Sequence, residues 1–199
     1  SWVNALELGA TDLVLGAETE NERAATSFES DGPFGPFASE FPEQSERTTG
    51  AFTEARVRPM DGLVVAAGAR IDDHERFGAT VTGRVAPVYL VESTGTRLRA
   101  TAGTGFKAPS LFQLHDPGFG DPGLDPERSR GWDVGIDQTL AGGRALLSAT
   151  WFRTNYEHLI VFASDGFRNE NEATTRGLET TASAVIGPHL HLDAGYTYT

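Results

Sequence analysis

Cysteine is missing from this chain of 199 residues, and methionine and lysine each occur once. Without a thiol there is no disulfide scaffold, no thiolate metal site and no cysteine nucleophile. The compartment stays open, although a cysteine-free chain is compatible with passage through an oxidising one. Positive charge is scarce as well: 16 basic residues stand against 28 acidic ones, a net charge of −12. That balance argues against general nucleic-acid binding, which needs clustered Lys and Arg to neutralise phosphates. Long apolar runs are lacking too. The best, Leu63 to Ala69, has seven residues and includes Gly68, far short of the roughly 18 that a membrane-spanning helix requires. A membrane β-barrel escapes that exclusion, because its segments are short and only alternate residues need be apolar. The opening Ser1-Trp2-Val3-Asn4 has neither a basic start nor an apolar core. No signal peptide is read there, and the expectation is that it was removed or that the natural beginning lies further upstream.

The helical period is almost absent, and a period of two takes its place. Thr96 to Phe106 puts Leu98, Ala100, Ala102 and Phe106 on one face and Arg97, Arg99, Thr101, Gly103 and Gly105 on the other. Trp132 to Leu140 puts Trp132, Val134 and Ile136 against Asp133, Gly135 and Asp137. The same split marks Leu63–Ile71, Ala79–Val91 and Leu190–Tyr198, and weaker versions occur at Trp2–Leu8, Leu13–Glu22, Ala51–Arg58, Ala145–Tyr156 and Glu172–Ile186. These ten segments read as strands, mostly long for a globular protein. Pro87 lies inside one of them and cannot donate a ladder hydrogen bond, so a bulge or local break is expected there.

The connections alternate in length. Gly9–Asp12, Pro59–Gly62, Ser93–Gly95, Ala141–Gly143 and Gly187–Pro188 carry the Gly, Pro or Asp that a tight turn needs. Between them come the longer links Thr26–Arg47, Asp72–Gly78, Lys107–Arg130 and Glu157–Glu170. One end of an up-and-down sheet is therefore trimmed and the other carries excursions, an asymmetry of outer-membrane barrels. Two architectures fit the alternation. A soluble sandwich turns its apolar face inward; a membrane barrel turns it to lipid and lines its interior with the charged face. The loop asymmetry, the aromatics near segment ends (Trp2, Phe106, Trp132, Tyr196, Tyr198) and the Gly, Thr, Arg and Asp of the polar faces favour the membrane.

One stretch narrows the family. Gly103-Thr104-Gly105-Phe106-Lys107-Ala108-Pro109-Ser110-Leu111 resembles the strand end and loop entry of TonB-dependent outer-membrane receptors. Leu124-Asp125-Pro126-Glu127-Arg128-Ser129 is similar to the family's Leu-Lys-Pro-Glu-x-Ser segment, and Trp132-Asp133-Val134-Gly135 to the aromatic-containing strand that follows it. Asn155–Ile160 and Asn171–Glu179 look like later landmarks in the same order. The detailed match covers the second half of the chain, with the cobalamin-receptor branch the nearest in flavour. Asp121 and Asp125 depart from the more usual Asn and Lys. The resemblance implies an all-β, antiparallel up-and-down transmembrane barrel segment, about ten strands of a barrel of about 22. Residues 1–199 would then be a partial barrel domain cut at both ends, without a plug domain. An open arc leaves two edges that hydrocarbon does not tolerate. The isolated segment is therefore expected not to insert, and a folded, heat-modifiable band from it in detergent would count against that.

The implied function is import of a scarce, bulky nutrient, of the cobalamin or iron–siderophore class, at the bacterial outer membrane. Its partners would be the nutrient, outer-membrane lipid and, through the plug, the TonB–ExbB–ExbD complex. No covalent chemistry, catalytic residue or bound cofactor is implied, and no nucleic acid. Candidate ligand contacts on the outer loops are Phe34, Phe37, Phe112, His115 and Phe119. Phe34 and Phe37 lie in an acidic stretch, Glu18 to Glu46, with eight acids and one Arg, where Ca²⁺ is a conceivable occupant; a solvated surface loop explains the same composition. Candidate lumen-lining residues are Arg84, Arg97, Arg99, Asp133 and Asp137. Arg99 is expected opposite Asp137, a cross-strand pair contributing about 0.2–1 kcal/mol. His189, His191 and Asp193 suit a polar wall better than a metal site, for want of further ligands nearby. Gly103-x-Gly105 lacks the Gly-Lys-Ser/Thr of a phosphate loop. The competing classes are a ten-stranded outer-membrane protease with Asp72, Asp73, His74, His115 and Asp116 among its loops, and a soluble β-sandwich binding module.

Overall fold

The computed structural model describes residues 1–33 and 35–199, with the side chains of Phe28, Phe37 and Ser39 outside the description. Ten strands follow one another: β1 (Trp2–Leu8), β2 (Thr11–Gly32), β3 (Gly35–Met60), β4 (Leu63–His74), β5 (Gly78–Val91), β6 (Thr96–Lys107), β7 (Glu127–Leu140), β8 (Ala145–Ala163), β9 (Gly166–Ile186) and β10 (Leu190–Tyr198). One short helix, α1 (Leu111–His115), interrupts the link between β6 and β7. All ten strands form one antiparallel sheet in chain order. Each pairs with the next, through tight turns at one end of the sheet, which is the up-and-down arrangement that regular alternation and tight turns produce. The five short turns each place a glycine at positive φ, at Gly9, Gly62, Gly95, Gly142 and Gly187. A side chain there would be strained.

The ladder fixes which residues share a face. Arg97 pairs with Asp137, Thr101 with Asp133 and Gly103 with Arg84, so the charged rows of β5, β6 and β7 lie together. The opposite face carries Val81, Leu98, Trp132, Val134, Ile136, Leu147 and Leu192, all exposed. A soluble sandwich would cover those side chains with a second sheet. Here the buried apolar core of the described residues consists of Phe41, Leu111, Leu114 and Leu124, which belong to the long-link end and not to the sheet centre. Apolar residues out and charged residues in is the polarity of a membrane barrel, and the sandwich reading falls.

Two expectations about the links are corrected. Thr26–Arg47 and Glu157–Glu170 are not loops. The strands run on to tight tips at Gly32–Gly35 and Ala163–Gly166, with Gly32 paired to Gly35 and Ala163 to Gly166. Beyond the apolar belt both faces meet water, so nothing holds the apolar alternation that reveals a strand. Lys107–Arg130 is a true loop as far as Glu127, where β7 begins. At Pro87 the β4 side is regular, with Pro87 opposite Val65. On the β6 side pairing stops after Val85↔Ala102 and resumes at Val88↔Arg99 in the same register. The missing N–H produces a break on one side and no bulge.

Candidate functional site: an aromatic rim above a charged wall

The interior wall is built from arginines that reach along the sheet. On β6, Arg97 Nε donates to Asp137 Oδ2 at 2.8 Å and Arg99 Nε to the same oxygen at 3.3 Å. Arg99 also lies 3.9 Å from Asp133. Asp137 is only 3% exposed, so a carboxylate held in the wall serves two guanidinium groups. The expected pair is thus present on the expected face, but Arg97 sits directly opposite Asp137 and Arg99 opposite Gly135. The register differs by two residues from the expectation, a shift that keeps every face unchanged.

Gly135 is what allows Arg99 its second reach. A Cβ at Gly135 would collide with the Arg99 guanidinium, whose Nη2 passes over it to donate to Thr150 Oγ1 on β8. Arg84 makes a reach of the same span on the other side of the wall, although a Cβ at Gly68 would meet Thr53 and Glu54 and not its guanidinium. It crosses Gly68 of β4 to meet Glu54 of β3 at 2.8 Å, and the three are aligned in the ladder. Arg70 contacts Glu18 at 2.7 Å and lies over the Phe52 ring at 5.8 Å. Interior glycines therefore let long cations lie flat and tie strands two apart, which leaves the bore side of the sheet low in relief.

The outer rim is organised by α1. Ser110 Oγ accepts from the Gln113 amide at 3.2 Å, and Gln113 Oε1 accepts from the Ser110 amide at 2.9 Å. This reciprocal cap starts the helix directly after Pro109. Its residues Leu111 and Leu114 are fully buried, and the helix contacts β2 and β3. A bulge in β3 brings Phe41 to this helix, against Phe112. Ala24 pairs with Gln44 but Thr26 with Phe41, so β3 carries one extra residue. The extra residue reverses the face of the residues on its tip side and turns Phe41 inward, where it is 4% exposed.

From this small core an aromatic chain runs to the surface. Phe112 packs edge-on against Phe41 and Phe167, with centroids 6.3 and 6.0 Å apart, and Phe162 lies 5.1 Å from Phe167 and 5.4 Å from Phe119. Phe112, Phe119 and Phe162 remain exposed. The loop that carries Phe112 and Phe119 is pinned from both sides. Asn169 accepts from the Asp125 amide at 2.8 Å and donates to the carbonyls of Asp125 and His158. Arg76 donates to the Pro122 carbonyl, and the Phe167 amide to that of Phe119 at 3.0 Å.

Of the five outer-rim candidates, Phe112 and Phe119 come together in this chain and His115 closes α1 half-buried beside them. Phe34 lies outside the described residues, as does the Phe37 side chain. Phe162 and Phe167 escaped the sequence reading, although they flank Ser164-Asp165-Gly166, a tip signal. The Ser110-x-x-Gln113 cap was legible too. Asp72 and Asp73 point to opposite faces of β4. His74, on the face of Asp72, meets Glu46 at 3.5 Å. His191 lies 3.0 Å from Asp193 with both exposed, and His189 falls in the turn before β10.

A ten-stranded up-and-down sheet with an apolar face, a charged face and one elaborated rim has the architecture of an outer-membrane barrel wall. The family model described as "TonB dependent receptor-like, beta-barrel" matches residues 1–199, and the chain belongs to that family, whose barrels are outer-membrane proteins. It is 33% identical over 140 residues to the vitamin B12 transporter BtuB of Photobacterium profundum, a match covering 65% of this chain and 22% of that protein. The fold superposes on the siderophore receptor PirA of Pseudomonas aeruginosa with a TM-score of 0.82 at 22% identity, over 98% of this chain and 38% of that one. It also superposes on a mutant ferric enterobactin receptor, PfeA of the same organism, in complex with enterobactin, with a TM-score of 0.77 at 22% identity, over 99% of this chain and 34% of that one. The chain thus spans between a fifth and two fifths of the length of these relatives, which by name are transport receptors and not enzymes.

Proposed function

We propose that this chain forms part of the wall and outer rim of a receptor that captures a scarce, bulky nutrient at the bacterial outer membrane and imports it with TonB-coupled energy. The observation that carries the reading is the Phe41–Phe112–Phe167–Phe162–Phe119 chain. Two of its members, Phe112 and Phe119, stand on a pinned loop at the end of a wall whose inner face is charged. Aromatic rings give large contact area at low conformational cost, and a pinned loop has less freedom left to lose on binding. Cobalamin is the first substrate to test, because the relative matched at 33% identity is a vitamin B12 transporter; a ferric siderophore is the second. Residues 1–199 act as one stretch of barrel, and coupling to TonB, ExbB and ExbD acts through other parts of the receptor. No step makes or breaks a covalent bond. A Ca²⁺ ion at the acidic β2–β3 hairpin has composition alone in its favour, since the described residues hold no group of three or more ligating side chains placed for a metal ion.

The test is binding of labelled cobalamin, then of ferric siderophores, to outer membranes carrying the full-length receptor. Phe112→Ala with Phe119→Ala should weaken capture by about tenfold or more, the loss of two aromatic contacts. Unchanged binding of every ligand that the unaltered receptor takes up would remove the rim from the mechanism.

A further inference from the structure

The rim rings come from two segments that one side chain ties together. Phe112 and Phe119 belong to the β6–β7 link, Phe162 and Phe167 to the tip between β8 and β9. Among the described residues no ladder joins the two, since β7 pairs with β8 only from Arg128↔Glu157 toward the short turns. Asn169 on β9 bridges them. Its Oδ1 accepts from the Asp125 amide at 2.8 Å, and its Nδ2 donates to the Asp125 carbonyl at 3.0 Å. One side-chain amide thus serves both main-chain groups of Asp125, as an opposed strand residue would.

Nδ2 has a second acceptor, and it comes from unusual backbone. His158 has φ 55°, a left-handed conformation that is uncommon outside glycine. The ladder records the departure. Glu157 pairs with Glu172 and Leu159 with Glu170, while the position of His158 between them is skipped. Its carbonyl accepts from Asn169 Nδ2 at 2.7 Å instead. Neighbouring contacts rely on the same closure. Glu127 accepts from the Ile160 amide at 2.8 Å and from Lys107 Nζ at 3.0 Å. Gly166 is buried at the tip, where a Cβ would come within 2.7 Å of the Phe119 carbonyl. The ring contacts Phe112–Phe167 and Phe119–Phe162 cross this joint.

We infer that Asn169 is a positioning residue for nutrient capture: it clasps Asp125 to the His158 carbonyl and so holds Phe112 and Phe119 against Phe162 and Phe167 before any ligand arrives. This rests on the reading that the aromatic rim captures the nutrient. The Asn169 amide is engaged within the protein, so it acts through the rings. A surface assembled in advance binds more tightly, because less conformational freedom is lost on binding. The left-handed backbone at His158 belongs to the same device, since it turns a ladder carbonyl toward the clasp.

The experiment uses the full-length receptor purified in detergent. Radiolabelled cyanocobalamin and then ferric enterobactin probe capture, and hydrogen exchange of residues 117–126, read by mass spectrometry, needs no ligand. Asn169→Ala should speed that exchange and weaken capture by about tenfold each, with the thermal midpoint held within about 2 °C. Asn169→Asp keeps the acceptor and loses the donors, so it should fall between. His158→Gly should retain both properties, because glycine adopts this φ without strain. His158→Val should lose both, because a β-branched residue does not. Added to Phe112→Ala with Phe119→Ala, Asn169→Ala should weaken capture no more than about twofold further, whereas independent effects would multiply to about a hundredfold. Unchanged exchange in Asn169→Ala, equal behaviour of the two His158 variants, or multiplying losses would each overturn the proposal. If the ring pair loses capture and Asn169→Ala keeps it, only the clasp fails. If the ring pair itself keeps capture, the rim reading fails. If neither probe is held, the exchange of Asn169→Ala and of the two His158 variants still decides the clasp.

Discussion

The two faces of this sheet treat arginine in opposite ways. Inside, Arg70, Arg84, Arg97 and Arg99 each meet a carboxylate, at Glu18, Glu54 and Asp137, and Arg70 does so beside Gly50, where a Cβ would collide with its guanidinium. Outside, Arg130, Arg153 and Arg176 meet none among the described residues. The difference teaches where each face finds its counter-charge. An interior wall must satisfy its own cations, because they brace the strands that bear them. The outward arginines stand exposed beyond the apolar belt and meet water, so the fold need not supply their counter-charge.

The sharpest way to break this contrast is to move an arginine down the outer face. Val134→Arg, in mid-belt, should cost about 2–4 kcal/mol, seen as a lower urea midpoint of the full-length receptor in bilayers. A cost near zero would mean that this face does not meet hydrocarbon. On the inner face, Asp137→Ala strips the shared acceptor from Arg97 and Arg99. About 2 kcal/mol should be lost, read from tryptophan fluorescence during urea unfolding; a loss below about 0.5 kcal/mol would make the inner pairing ornamental. Gly135→Val should cost about 1 kcal/mol by blocking the Arg99 reach to Thr150. In an Arg99→Ala background the same substitution should cost almost nothing, and a double-mutant cycle measures the difference. The smallest effect belongs to the outward arginines. In detergent, Arg176→Gln should change stability by no more than about 0.5 kcal/mol, in the stabilising direction, since it relieves a like-charge pair with Arg153, which stands opposite it. A clear loss would point to an intramolecular partner for Arg176.

Much of the sheet was readable along the chain. The short-turn ends were placed within a residue or two wherever Gly, Pro or Asp punctuates an apolar alternation, as at Met60–Leu63 and Ile186–Leu190. The far ends were not. Glu20, Glu22, Glu29 and Glu40 occupy strands that project beyond the belt, where polar residues on both faces erase the period of two. The wall pairing was half legible: like faces were foreseen for Arg99 and Asp137, but a register shift of two leaves the pattern of faces unchanged, so periodicity alone could not choose between Arg97 and Arg99. The rim was the least legible. Phe112 and Phe119 stood out as loop aromatics, whereas Phe162 and Phe167 read as parts of a link.

The amino-acid order by itself determined ten strands, their alternation and the sign of each face, because a pleated strand exposes every second side chain to one medium and the remainder to the other. Only the tertiary structure decided what touches what. The bulge between Gln44 and Phe41, the pass of Arg99 over Gly135, and the meeting of five phenylalanines from four segments depend on register and on chain returning from far away in sequence. Those are set by packing across strands, which no local pattern records.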